Sequence, residues 1–514
     1  MNGPAAGHDD PSPHAANVAP SVDADFPSAT RSATAGVAGP RPGNLGWSVF
    51  RNTAAQLVGR NLIALSRLFL SGIVVRRFGK ETFGEYSLVL VLLFIAEWLL
   101  DFGSTDMYVR EICREPWRRL RLLRIMTASK AVQLPVAGAV LCILLLALRY
   151  PARIVEAGLV GGIGMLFYAG VLAYRIVFRV DLKIEFEVFA ELVSFLTMIP
   201  LVILVGHRGG GLVGIFGCYV VSRAVFFGVS MLLGHGRYHL SVRDTAWTDI
   251  GWSVRASAAI GAVGFLVVVY ETLDVLLLSR LGGLQEVACY SGAQRFVWPV
   301  LTSLSAVGGT LYPVAAAYWP NARSNFENAF QRALDSVMIL AGAAVCVMLG
   351  GAEFLLGLLG PSLVSAAPVL RILGVVCFAK AISTTMGPVL YIVHQEKSAL
   401  KLVGITLAVK AAVIALVAPR YGCVGVACGT LCADATAAAA SVILAQRFTA
   451  YRIAWRVPLT IVLVSVGAAI VPRLLISARL PALSVSMALY CCLIFVTGAV
   501  HPAELRSLLR WKTS

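Results

Sequence analysis

Long apolar stretches separated by short polar loops recur along the chain from about Thr53 to Val500. Each has roughly 17 to 25 residues, the length that crosses a hydrocarbon core as a helix. Runs such as Leu88 to Ala96 do not alternate apolar and polar residues, which excludes the strands of a transmembrane barrel. The pattern predicts an all-α integral membrane protein of about 14 transmembrane helices. The predicted spans cover residues 53–75, 84–107, 127–148, 154–176, 186–205, 211–233, 254–279, 290–318, 333–359, 366–391, 399–418, 422–445, 457–477 and 481–500.

Composition excludes a soluble protein. Of the 514 residues, 58% are hydrophobic and 14% are charged, whereas a soluble domain has about 25% charged residues. Mean hydropathy is +0.80. Residues 1–44 contain no apolar run and are rich in Ala, Pro, Gly and Ser, so we expect a disordered cytoplasmic tail. They also lack the features of a signal peptide, which predicts that the first span is retained.

The net charge of +16 would suggest nucleic acid as the partner of a soluble protein, but here the basic residues fall on alternate loops. With the N-terminus inside, cytoplasmic segments hold about 25 Lys or Arg against about 10 outside, so both termini are predicted to be cytoplasmic and nucleic acid is not an expected partner. The densest basic loop contains Arg110, Arg114, Arg118, Arg119, Arg121 and Arg124. This loop has two interpretations. It is either a signal that fixes the membrane topology or a binding site for anionic membrane lipids.

A repeated pattern predicts internal duplication. Gly46-Trp47-Ser48-Val49 recurs as Gly251-Trp252-Ser253-Val254, and two further short matches follow at nearly the same offset of about 205 residues. Six predicted spans separate the matched points, so the two copies are expected to be parallel and to enclose a cleft. The predicted domains are the tail at 1–44, six-helix bundles at 45–240 and 241–447, and two additional helices with a cytoplasmic tail at 448–514.

Three segments carry a family resemblance: residues 46–53 (GWSVFRNT), 77–87 (RFGKETFGEYS) and 99–103 (LLDFG). Together with residues 273–282 (LDVLLLSRLG), they resemble Wzx-like polysaccharide-unit flippases of the multidrug/oligosaccharidyl-lipid/polysaccharide exporter superfamily. The resemblance covers about residues 45 to 445 and implies two six-helix bundles around a central cavity in the bacterial inner membrane.

The resemblance also implies the cargo, which is an undecaprenyl-pyrophosphate-linked oligosaccharide repeat unit for O-antigen, capsule or exopolysaccharide. A polysaccharide polymerase or export machinery is an expected protein partner. The glycan and diphosphate cannot cross hydrocarbon unaided, because polar groups without partners cost several kcal/mol each. A wide, wet and cationic cavity with a lateral opening for the lipid tail is therefore expected.

Basic residues inside the spans are the candidates for binding such an anion, because a charge at membrane depth needs a cavity or a partner. Gln56, Arg60 and Arg67 share one face of the first span. Arg60 is the deepest of these and is expected to line the cavity, whereas Arg67 has access to the interface. The further cavity candidates are Arg223, Arg295, Lys380 and Lys410.

Acidic residues inside the spans are candidates for ion coupling. Glu97 and Asp101 are four residues apart, and Glu271 and Asp274 are three apart, so each pair shares a helix face. Paired carboxylates at low dielectric resist double ionisation, which suits proton or sodium binding. The alternative is structural ion pairing with Arg60 or Arg67. Glu191 and Asp434 are also embedded.

No cofactor or metal is expected, and Cys423, Cys428 and Cys432 lack the spacing of a metal site. The main functional alternative is a cation-coupled multidrug exporter of the same superfamily, whose cavity should be more acidic and aromatic. A membrane polysaccharide polymerase or ligase is the alternative from another class. The predicted outside loops are short for such an enzyme, so the chain is expected not to be an enzyme.

Overall fold

The computed structural model describes residues 45–497 except 236–237, 239–241, 243–244, 320, 450 and 476–478, and its side chains from residue 58 except 308–315 and 479. The predicted tail at 1–44 lies outside the described residues. The helices are α1 (Leu45–Asp101), α2 (Ser104–Arg114), α3 (Arg119–Ala147), α4 (Ala152–Val180), α5 (Ile184–His207), α6 (Leu212–Gly234), α7 (Trp247–Leu281), α8 (Leu284–Tyr318), α9 (Arg323–Leu359), α10 (Ala367–Met386), α11 (Val389–Ile392), α12 (Glu396–Thr449), α13 (Arg456–Leu475) and α14 (Arg479–Val496).

The fold class is the predicted one. The described part of the chain is helical throughout, with no strand, and 10 of its helices are long and apolar enough to cross a membrane. Large apolar side chains cover their outer faces, and Leu146, Leu416 and Leu463 are 66%, 79% and 74% exposed. Such surfaces suit lipid and not water. The count of fourteen spans stays a prediction.

Two predicted loops are replaced by kinks, each at one glycine between two helical segments. Predicted span 53–75 and residues 84–101 of predicted span 84–107 fall within α1, which has a kink at Gly79 (φ 88°) and ends at Asp101, before the predicted end of the second span. Spans 399–418 and 422–445 fall within α12, which bends at Gly422 (φ 52°). Glycine has no Cβ and adopts this left-handed conformation without strain. A single glycine therefore interrupts the helix where the sequence suggested a loop.

The turn between α1 and α2 is held from both sides. The Lys130 ammonium donates to the carbonyl oxygens of Leu100 (2.5 Å) and Asp101 (3.1 Å), so it caps the last turn of α1. The Asp101 carboxylate accepts the backbone N–H of Thr105 (3.2 Å) at the start of α2. Gly103 (φ 69°) leaves no room for a Cβ, which would lie 2.9 Å from the backbone nitrogen of Gly261 on α7.

Helix packing brings the charged side chains together. α4 and α5 both pack on α6, and α3 packs on α4 and α7. α12 packs on α7 and α10, and α9 packs on α8, α10, α13 and α14. The two C-terminal helices are joined to α9 in part by the Tyr490 hydroxyl, which donates to the carbonyl oxygen of Ile339 (2.6 Å). The predicted duplication and domain boundaries stay predictions.

Candidate functional site

A cavity of about 640 Å³ lies among α1, α4, α5, α6, α7 and α8. Its walls combine aromatic rings, including Phe94, Trp98 and Trp298, with many charges. The charged residues that line it within the described part of the chain are Arg60, Arg67, Arg175, Arg223, Arg295, Glu97, Asp101, Glu191 and Glu271. The lining residues come from positions 60–226 and 271–302 of the chain.

Arg67 is held by Glu191, which is a predicted embedded acid. The Arg67 guanidinium lies 2.8 Å from the Glu191 carboxylate and over the ring of Phe195 (5.0 Å to its centroid). The side chain of Arg67 is 50% exposed and lines the cavity. The structural alternative from the sequence paired embedded acids with Arg60 or Arg67, and in the described part of the chain the acid that pairs with Arg67 is Glu191.

Glu97 instead pairs with Arg223. Both carboxylate oxygens of Glu97 accept hydrogen bonds from Nη2 of Arg223, at 2.6 and 2.7 Å. The Tyr219 hydroxyl donates to the same carboxylate (2.6 Å) and accepts from Nε of Arg223 (2.8 Å). Arg223 also lies over the ring of Tyr168 (4.7 Å). Charge-assisted bonds of this kind fix both side chains in place.

Sequence analysis missed Arg175, which also lines the cavity. Its Nε lies 2.7 Å from the Glu187 carboxylate, and its Nη1 donates to the Tyr168 hydroxyl (3.1 Å). Arg175 falls at the last positions of predicted span 154–176 and was therefore not among the basic residues singled out as embedded in apolar sequence. The signal that could have identified it is Arg179, one helical turn further on the same face.

Arg60 and Arg295 differ from the other cavity arginines. Among the residues that the structure describes, neither makes a hydrogen bond or an ion pair, and both line the cavity. Arg60 is exposed on α1, and Arg295 is half-buried on α8. The side chain of Gln56, the third predicted member of the Arg60 face, lies outside the described residues. The two guanidinium groups therefore remain available to an anion.

Lys410 is part of a separate buried network and is not among the residues that line the cavity. Its ammonium lies 2.9 Å from Oδ1 of Asp274, each side chain is 2% exposed, and it donates to the carbonyl oxygen of Tyr270 (2.7 Å). The Tyr290 hydroxyl donates to the other Asp274 oxygen (2.5 Å). Asp274 is thereby paired on both oxygens, as a carboxylate at this depth requires.

Lys380, also absent from the cavity lining, is shared between two carboxylates. Its ammonium lies 3.2 Å from Asp434 and 3.6 Å from Glu271. Asp434 is buried and also accepts the Tyr270 hydroxyl (2.7 Å), whereas Glu271 reaches the cavity wall. Glu271 therefore connects the buried network to the cavity. Asp101, the remaining coupling candidate, lines the cavity while capping α2.

The family model described as polysaccharide biosynthesis protein matches residues 49–319. No curated protein sequence matches the chain significantly.

Solved transporters share the fold. The structure described as lipid II flippase MurJ, inward closed conformation, has a TM-score of 0.72 at 12% identity, covering 90% of this chain and 100% of that one. A multidrug resistance MATE family transporter of the MOP superfamily in its inward-facing conformation has a TM-score of 0.60 at 16% identity, covering 76% and 94%. The outward-facing conformation of such a transporter has a TM-score of 0.56 at 15% sequence identity, covering 78% of this chain and 95% of that one. At these identities the likeness is one of fold.

Proposed function

Because this chain belongs to the polysaccharide biosynthesis protein family, we propose that it is a flippase that moves undecaprenyl-pyrophosphate-linked oligosaccharide repeat units across the bacterial inner membrane. Transport from the cytoplasmic to the periplasmic leaflet would supply polysaccharide assembly outside. The protein acts on the position of its cargo and not on its covalent bonds, so the proposed activity is not that of an enzyme.

The observation that carries this proposal is the pair of arginines, Arg60 and Arg295, that line the cavity without a carboxylate partner among the described residues. A diphosphate has several acceptor oxygens, and a guanidinium binds two of them at once through its planar fork. The other three cavity arginines are already held by Glu191, Glu187 and Glu97. A cavity with two free guanidinium groups suits an anionic lipid headgroup better than a cationic drug.

Deleting the gene tests the function. We expect lipid-linked repeat units to accumulate in the cytoplasmic leaflet, because the glycan and diphosphate do not cross hydrocarbon unaided. Extracted lipid-linked sugars are measured with and without enzymatic access from the periplasm, and complementation with the intact gene is the control. Normal repeat-unit distribution together with hypersensitivity to cationic drugs would contradict the proposal and favour the multidrug exporter.

We also propose that Glu271 is the residue through which an ion gradient drives transport. Asp274 is paired with Lys410, Glu97 with Arg223, and Asp101 caps α2. Glu271 alone of the four coupling candidates shares its lysine with a second acid while reaching the cavity. Binding of a proton or sodium ion to Glu271 would release Lys380 to Asp434, so the ion changes the pairing of a buried charge.

Substituting Glu271→Gln is expected to remove the stimulation of transport by an imposed ion gradient, because a glutamine side chain carries no charge to bind a proton or sodium ion. Slow transport that does not depend on the gradient should remain. The measurement is transport of fluorescent lipid-linked repeat units in proteoliposomes under proton or sodium gradients. Glu81→Gln, at an exposed position of α1, is the matched control. Gradient stimulation equal to that of the unsubstituted protein would exclude Glu271 as the coupling residue.

A further inference from the structure

Two arginines of α4, Arg175 and Arg179, lie one helical turn apart and share a single glutamate of α5. Nε of Arg175 lies 2.7 Å from one oxygen of Glu187, and Nε of Arg179 lies 3.6 Å from the other. Arg179 also lies 3.2 Å from Asp106, whose side chain is 70% exposed. Two positive charges thus converge on one well-placed carboxylate, with a second carboxylate mostly in solvent.

The fit between these groups is poor compared with the pair formed by Arg223 of α6 and Glu97 of α1. Within the described part of the chain, neither Nε of Arg175 nor Oε2 of Glu187 has an aligned hydrogen-bond partner, although both atoms are buried. Arg223 and Glu97, by contrast, make two aligned bonds of 2.6 and 2.7 Å. Buried polar atoms without hydrogen bonds carry a desolvation cost that a better-shaped acceptor would remove.

The arginine pair joins the cavity to the predicted cytoplasmic side. Arg175 lines the cavity together with Tyr168, whose hydroxyl accepts from Nη1 of Arg175. Arg179 lies nearer the end of α4 and reaches Asp106 on α2. The side chains of Arg175, Arg179 and Glu187 are 17%, 29% and 13% exposed. An anion arriving from the cytoplasmic leaflet would meet Arg179 first and Arg175 next.

We propose that Arg175 and Arg179 form a second phosphate-binding site, in which Glu187 takes the place of a phosphate group until the cargo displaces it. The proposal rests on the proposed function, because it assigns a position to the diphosphate before it reaches Arg60 and Arg295. Phosphate has more acceptor oxygens and more charge than a carboxylate, so it satisfies two guanidinium forks that one glutamate leaves misaligned.

Binding of inorganic pyrophosphate to the full-length protein in nanodiscs of neutral phosphatidylcholine tests the site. Glu187→Gln removes the competing carboxylate, so we expect pyrophosphate affinity to rise about tenfold. Arg175→Gln with Arg179→Gln should lower it by a similar factor. Glu156→Gln is the matched control, because Glu156 is an exposed glutamate of α4 that does not line the cavity, and it should leave this binding step unchanged.

Binding is measured in an Arg60→Gln, Arg295→Gln background, so that failure of the cavity proposal and failure of this site are distinguishable. Unchanged pyrophosphate affinity in Glu187→Gln together with a lower melting temperature would overturn the proposal. It would show that Glu187 acts as a structural clamp, which only holds α4 and α5 together through the two arginines. If Glu187→Gln does not fold, Arg179→Gln alone decides, since a clamp role predicts no loss of pyrophosphate affinity. Stabilisation by phosphatidylglycerol nanodiscs, with no response to pyrophosphate in neutral ones, would likewise overturn it in favour of ordinary lipid headgroups.

Discussion

Arg60→Ala is expected to abolish polysaccharide export while the protein remains folded. Arg60 has no ion-pair partner among the described residues and lines the cavity, so alanine removes a binding group without exposing a buried charge. A hydrogen bond to a charged group contributes about 1.5–3 kcal/mol, which corresponds to roughly a 10- to 100-fold loss of affinity for the headgroup. Arg60→Lys should retain part of the activity, because it keeps the charge but not the fork. The measurements are surface polysaccharide and the melting temperature of the detergent-solubilised protein.

Arg77→Ala is the matched control, since Arg77 is exposed on the same helix and does not line the cavity. Full export by a stable Arg60→Ala protein would exclude the cavity role. Loss of folding together with export would instead mean that Arg60 has a structural partner. Arg295→Ala should behave like Arg60→Ala, because both arginines are proposed to bind the same diphosphate.

Lys410→Met is expected to have the largest effect on stability. Removing the ammonium leaves the Asp274 carboxylate buried without its counter-charge, which costs about 3–5 kcal/mol. Both side chains are 2% exposed, so solvent cannot replace the lost partner. The double variant Lys410→Met, Asp274→Asn should recover much of the loss, because asparagine is neutral and still accepts the Tyr290 hydroxyl. Melting temperature and detergent-induced unfolding measure both variants.

Lys401→Met provides the comparison, as Lys401 is exposed on the same helix and should tolerate the change. Equal destabilisation of the single and double variants would argue against a charge effect and for a packing effect of Lys410. A Lys410→Met protein as stable as the unsubstituted one would mean that Asp274 finds another counter-charge.

The apolar pattern was sufficient to predict the fold class because membrane helices satisfy their own backbone, so each span is a local property of the sequence. The family resemblance was confirmed by the family match and by the fold shared with flippase and exporter structures. Span ends were less predictable, since the helical segments are separated only by kinks at Gly79 and Gly422. Composition does not distinguish such a bend from a short loop.

The sequence by itself determined that this is a polytopic helical membrane protein of the flippase type, and which charges lie at membrane depth. Only the tertiary structure decided which of those charges are neutralised. Arg67 and Glu191 are 124 positions apart, and Arg223 and Glu97 are 126 apart, so no helical periodicity relates them. Pairing depends on which helices pack together, and that packing left Arg60 and Arg295 facing the cavity while it buried Lys410 against Asp274.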